Sequence, residues 1–252
     1  MSYLYFKKPS KKFYPTVKIV KKITGKKILA FAPHSDDLGI GAGGFLAQLA
    51  KTNIVKPVLG YSGFRGVAGE LSPRKAIRLR EEEMKKEAKI LKIRSPIFLQ
   101  LTTYEKNTPQ LRKADKEKIK TVIRKEKPVI IFLSNQYDLH PRHKLLSRLI
   151  LDVLKGLKWK GELFFYEIPW SVFSGNEFDF IVPLSSKLMK QKINAIKVHK
   201  SQLKRTDFVR LSKALLALRA GMVPEQKITG YGADKISLGE WVEVYKYTKL
   251  ES

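Results

Sequence analysis

The chain has 252 residues, 43% of them hydrophobic and 29% charged, a composition that excludes a disordered or fibrous protein and suits one large α/β domain. It contains no cysteine, so a disulfide, a thiolate metal site and a cysteine nucleophile are all excluded, and any metal must be held by His, Asp or Glu. The formal charge of +27 would attract polyanions, but the lysines are spread along the whole chain without an arginine-rich tract, which favours a solvated basic surface over a nucleic-acid face.

Residues 1–26 read as a basic N-terminal arm (Lys7, Lys8, Lys11, Lys12), and residues 27–252 as a single domain. The start lacks the apolar core of a signal peptide, and no apolar run is long enough to span a membrane, so a cytoplasmic setting is expected. Lys27–Ala32 is a continuous apolar run of the kind that forms a buried parallel strand, and it ends in Pro33-His34-Ser35-Asp36-Asp37. A helix over Gly41–Lys51 and a strand over Val55–Tyr61 complete a βαβ unit, followed by a glycine-rich loop, Ser62–Leu71.

Ser72-Pro73 is an N-cap and first-turn pair that opens a long charged helix to Leu91. A strand at Ile97–Leu101, a helix at about Ala114–Lys125 and a strand at Val129–Leu133 lead into Ser134–His143, where two more histidines follow a strand. A helix over Lys144–Leu154, strands at Leu163–Tyr166 and Phe178–Val182, a helix over Ser185–Leu203, a short helix at Lys213–Ala220 and a strand at Trp241–Tyr247 complete the pattern. Strands alternating with helices predict a Rossmann-like α/β fold, a mostly parallel sheet with helices on both faces.

In such sheets ligands bind beyond the carboxyl ends of the strands. Of four histidines, His34 follows the first predicted strand and His140 and His143 the fourth, each beside carboxylates. Zinc catalysis needs three protein ligands and an open position for water, whose pKa the metal lowers to about 7. His34, Asp37 and His143 are of the right types for ligands. Asp36 remains to act as general base, and His140 to stabilise the oxyanion or protonate the leaving amine. Each cluster alone also fits a plain helix cap or a chance His-Pro-x-His loop.

These motifs resemble the LmbE/PIG-L N-acetylsugar deacetylases. The family's Ala/Pro-His-Pro-Asp-Asp-Glu is similar to Pro33-His34-Ser35-Asp36-Asp37-Leu38, and its Asp-x-His-Pro-Asp-His to Asp138-Leu139-His140-Pro141-Arg142-His143. Its Arg-x-x-Glu matches Arg80 to Glu83, followed by Ala88 and Leu91; its Lys-x-x-Ala…His-x-Ser-Gln segment resembles Lys192–Gln202, and its late Glu-Ala-Phe box resembles Gly239-Glu240-Trp241. The resemblance implies zinc ligands His34, Asp37 and His143, general base Asp36, and His140 as the electrostatic partner of the transition state. It further implies that Arg80 and Glu83 face the substrate and that Arg65 lies in the substrate-dependent loop; His199, within the Lys192–Gln202 segment, is a further candidate for lining the site. The branch most resembled acts on N-acetylglucosamine or diacetylchitobiose, which implies a small N-acetylated sugar or conjugate as partner, with acetate released, in a chain that could form a homo-oligomer.

Two positions depart from the pattern. Leu38 stands for a Glu, and Arg142 for an Asp that would orient and tune the neighbouring histidine, so Arg142 is expected to depress the basicity of His140. These departures motivate an alternative, a catalytically weak or silent glycan- or polyanion-binding protein on the same fold.

Gly39-Ile-Gly41-Ala-Gly43-Gly44 contains a formal dinucleotide-binding Gly-x-Gly-x-x-Gly, but it begins seven residues after the strand, and no acidic residue lies between Asp37 and Glu70 to hold a ribose. The glycines instead suit close helix packing. His199 fits a structural role as well as a site-lining one, Arg80 alone would be a solvated charge, and Tyr166, Trp170 and Phe173 suit either the core or a sugar-stacking wall.

Overall fold

The computed structural model describes residues 4–8, 16–20, 22–67, 69, 71–174, 177–225 and 239–251. Its strands are β1 (Leu4–Lys8), β2 (Thr16–Val20), β3 (Lys27–Ala32), β4 (Ile54–Leu59), β5 (Ile97–Phe98), β6 (Ile130–Ser134), β7 (Gly161–Tyr166), β8 (Phe180–Pro183) and β9 (Val242–Leu250). Its helices are α1 (Asp37–Leu49), α2 (Pro73–Leu91), α3 (Pro109–Glu126), α4 (Pro141–Gly156), α5 (Ser186–Lys197), α6 (Lys200–Leu203) and α7 (Phe208–Glu225), with one-turn 3₁₀ segments at Phe64–Gly66 and Thr102–Tyr104.

All nine strands form one sheet in the order β2-β1-β8-β9-β7-β6-β3-β4-β5. The run β7-β6-β3-β4-β5 is parallel throughout, whereas β9, β8, β1 and β2 are added by antiparallel pairings. The sheet is mixed but mostly parallel, as expected. Strand order reverses between β3, which leads on to β4, and β6, which leads away to β7; the crevice at that switch point is where ligands bind in open α/β sheets.

The period-2 geometry of β3 divides the core in two. Ile28, Ala30 and Ala32 face a cluster that includes Phe45 of α1, Met84 of α2 and Ile196 of α5, while Leu29 and Phe31 face Ile119 of α3 and Ile150 of α4. Helices therefore cover both faces. Gly41 lets α1 press against β7: a Cβ there would lie 2.8 Å from the backbone oxygen of Glu167. The glycine run lies inside α1, not in a strand-to-helix loop, so it cradles no pyrophosphate.

Several expectations are corrected. The basic arm contributes a strand pair, and β1 extends the sheet from β8 through Tyr5–Ile181 and Phe6–Phe180; Lys11, Lys12 and Glu70 lie outside the described residues. β5 ends at Phe98, because Gln100 takes a φ of 46° that no strand allows. α3 begins five residues early, where the Thr108 side chain accepts a hydrogen bond from the Leu111 N–H. The single helix expected over Ser185–Leu203 breaks at His199, whose ψ of 57° turns α6 off the axis of α5. α7 begins at Phe208 because the Asp207 carboxylate accepts the Arg210 N–H.

Candidate metal centre and active site

The loop after β3 and the loop after β6 meet at the switch point. Asp37, the first residue of α1, is fixed by the His34 backbone N–H, which donates to its Oδ2 at 2.7 Å, and sits where the positive end of the helix favours a carboxylate. His143 lies in the first turn of α4, a helix opened by the His140 ring and Pro141. In the loop before it, the Asn135 N–H bonds to the Tyr166 carbonyl and the Asn135 side chain accepts from the Tyr137 N–H.

His34 Nδ1, Asp37 Oδ2 and His143 Nε2 converge at separations of 3.0 Å between the imidazoles, 3.3 Å from His34 to Asp37 and 3.2 Å from His143 to Asp37. Ligands about 2.0–2.1 Å from a tetrahedral ion lie about 3.3 Å apart, so this donor set fits a divalent cation. The other ring nitrogen of His143, Nδ1, is 2.9 Å from Asp138 Oδ2; a proton shared there leaves the Nε2 lone pair free for a metal, the usual carboxylate–histidine support.

Burial opposes charge on both Asp37 and His143, but their mutual attraction prevails: Asp37 is held well below the usual carboxylate range, and His143, facing Asp37 and Asp138, is pushed up to about 10. The same negative field that retains a proton here attracts a cation. Burial outweighs the attraction of Asp37 at His34 and lowers its pKa.

The ring nitrogens of His34, His140 and His143 also lie within 4.8 Å of one another. His140 stands to one side of the inner set, with Nδ1 accepting the Arg142 backbone N–H at 3.3 Å, which places the proton of the neutral ring on Nε2. Burial, then the neighbouring His143 and His34, lower its pKa to about 4; the expected effect of Arg142 is not what depresses it.

Asp36 is buried, with Oδ1 accepting from Arg80 Nη2 at 2.7 Å. Above these groups is a cavity of about 330 Å³ whose lining includes Arg65, Arg80, Arg142, Arg205, Trp170 and Phe208. The Trp170 and Phe208 rings are 5.5 Å apart and form one wall.

Six of the expected site residues (His34, Asp36, Asp37, His140, His143 and Arg80) are thus brought together, and Arg65, ion-paired with Glu105, also lines the cavity. Glu83 and His199 are not among the lining residues. Glu83 is buried and accepts the Ser201 N–H and Oγ–H at 2.9 and 2.6 Å, capping α6. His199 is fully buried, with Nε2 2.8 Å from Glu87 Oε2, so it packs the α5–α6 junction onto α2 and does not line the cavity. Tyr166 and Phe173 are core residues; of the three aromatics weighed for a wall, Trp170 alone lines the cavity. Leu38 is buried in the core.

Phe208, Gln202 and Arg205 line the cavity unannounced by any motif role, though Gln202 ends the Lys192–Gln202 segment. They arrive because Glu83 caps α6 and because the Gln202 and Arg205 side chains donate to the Gly66 carbonyl at 3.2 and 2.9 Å.

Fold and site define an open α/β protein with a His-Asp-His centre at its switch point. The model of the PIG-L family, GlcNAc-PI de-N-acetylase, matches residues 29–154. A diacetylchitobiose deacetylase of Thermococcus kodakarensis is 31% identical over 191 residues, 70% of each chain. The protein belongs to the PIG-L family.

Among solved structures, an N,N′-diacetylchitobiose deacetylase from Pyrococcus horikoshii aligns with a TM-score of 0.70 at 21% identity, over 88% of this chain and 84% of that one. The 4-carboxy-2-hydroxymuconate hydratase of Pseudomonas putida aligns with a TM-score of 0.69 at 18% identity, over 88% and 95%. Both share the fold. No helix among the described residues is long and apolar enough to cross a membrane.

Proposed function

We propose that this chain is a zinc-dependent hydrolase that removes the N-acetyl group from an N-acetylglucosamine-type sugar or conjugate and releases acetate. The observation that carries the reading is the convergence of His34, Asp37 and His143 donor atoms at 3.0–3.3 Å beneath a cavity that also holds Asp36 and His140. Membership of the family and the diacetylchitobiose deacetylase relative support the substrate class. A zinc ion on those three ligands supplies Lewis acidity and lowers the pKa of water to about 7.

The chain's own groups do the rest. Arg80 fixes one oxygen of Asp36, and the other takes a proton from the attacking water as its oxygen adds to the acetamide carbon. His140, neutral at pH 7 and protonated at Nε2, donates to the carbonyl oxygen as negative charge develops there. The C–N bond then breaks, Asp36 returns its proton to the departing amine, and acetate remains. The Trp170–Phe208 wall offers an apolar surface for the sugar ring.

The test is acetate release from N-acetylglucosamine, its short oligomers and its conjugates. Asp36→Ala is expected to lower kcat by roughly 10²–10⁴-fold while zinc content stays at the wild-type level. Robust turnover by Asp36→Ala would overturn the mechanism. Sugar binding by the wild type without acetate release from any of these compounds would favour the silent binding protein instead.

A further inference from the structure

The charge around the cavity exceeds what a neutral sugar needs. Among the described residues four arginines line it, two of them paired, Arg80 with Asp36 and Arg65 with Glu105, and Asp37, the other lining carboxylate, is engaged by His34 and His143. Arg205 donates to the Gly66 carbonyl at 2.9 Å and has no carboxylate partner among the described residues. Arg80 Nη1 and Arg205 Nη1 come within 3.6 and 3.4 Å of one point over Gly66, the position a Cβ would take, so two guanidinium groups flank that glycine. Gln202 Oε1 lies 3.4 Å from the same point and Asp36 balances Arg80, which leaves Arg205 as the member of this pair without a carboxylate. On the cavity wall, Arg142 stands where the resemblance expects an aspartate, a change of two charge units beside His140. A divalent cation below would add to the same sign.

Resting on the deacetylase reading of this cavity, we infer that its substrate is an amino sugar bearing an anionic group, a phosphate ester or a carboxylate, and that Arg142 and Arg205 hold that group. The guanidinium fork matches both anions in two-point geometry, and charge-assisted bonds of this kind are about twice as strong as neutral ones. Trp170 and Phe208 take the ring, the His-Asp-His floor lies under the acetamide, and the arginines read the substituent. The generally basic surface does not substitute for them, because exposed charges more than a Debye length away are screened at physiological salt.

The experiment is isothermal titration of the full chain, metal-free and with one equivalent of zinc, against N-acetylglucosamine, its 1-phosphate, its 6-phosphate and N-acetylmuramic acid. At least one charged sugar is expected to bind about tenfold or more tightly than the neutral one in both metal states, and the phosphate and carboxylate arms show which anion is read. In Arg142→Gln/Arg205→Gln the ratio of charged to neutral affinity falls toward one; Arg205→Gln alone, at an exposed side chain, lowers the ratio severalfold and serves should the double variant misfold. Lys125→Gln, at the far end of α3, keeps the wild-type ratio.

Equal affinities for charged and neutral sugars, or an undiminished ratio in the arginine variants, overturn the inference. Acetate release from the same compounds separates the two readings. A charge preference without acetate release overturns the deacetylase alone, and acetate release without a charge preference overturns the anion site alone.

Discussion

Two buried histidines each pair with a carboxylate in this chain, yet only one faces the cavity. His143 gives Nδ1 to Asp138 and turns Nε2 toward His34 and Asp37. His199 gives Nε2 to Glu87 and leaves Nδ1 without a hydrogen bond, 4.0 Å from Glu83. The pairing is alike; the surroundings of the second nitrogen differ. At His143 two further donors converge on one point open to the cavity, whereas at His199 three helices close over the ring. A carboxylate–histidine pair becomes a candidate ligand through what the other nitrogen meets, not through burial or pairing.

The larger expected effect is at the first pair. Asp138→Asn removes the charge that orients His143 and should weaken zinc affinity about 10–100-fold, read by competition with a chromogenic chelator. An unchanged affinity would show that Asp138 does not support the ligand.

The smaller effect is at the second. Burial opposes charge on His199, but Glu87 prevails and raises its pKa, while burial raises that of Glu87 despite His199. The folded chain therefore holds more protons here than the unfolded chain: the His199 part of this contribution is complete below the unfolded histidine value of about 6.5 and is lost as pH rises through the higher folded one, and the Glu87 part is complete only below the unfolded carboxylate value of about 4.3. His199→Gln should cost about 1–3 kcal/mol at pH 6, less at pH 8, with zinc content unchanged. Thermal denaturation of the zinc-loaded proteins at both values checks it; an equal loss at pH 6 and pH 8, or a loss of zinc, would break the comparison.

The sequence showed the inner site better than its surroundings, for physical reasons. β3 and β6 are buried on both faces, so they read as continuous apolar runs, and their terminal loops place His34, Asp37, His140 and His143 at adjacent strand ends. The same logic failed for His199 and Glu83, because helical spacing does not say which neighbour will cover a polar group. The break that carries Arg205 to the cavity depends on Glu83 capping α6 from α2, a contact between residues 118 positions apart. Other misses left a local signal: Thr108-Pro109 opens α3 as Ser72-Pro73 opens α2, and Asp207 caps α7. β1 and β2 pair at the edge of the sheet, and their short segments, interrupted by lysines, form no continuous apolar run to announce a strand.

The central claim is that His34, Asp37 and His143 form a metal centre on which hydrolysis depends. The most direct measurement strips the protein with a chelator and follows acetate release as zinc is returned. The account predicts activity that rises to a plateau at one equivalent per chain and a His143→Ala variant that neither binds that equivalent nor regains activity. Full activity in the stripped protein, or a wild-type response in His143→Ala, would contradict it.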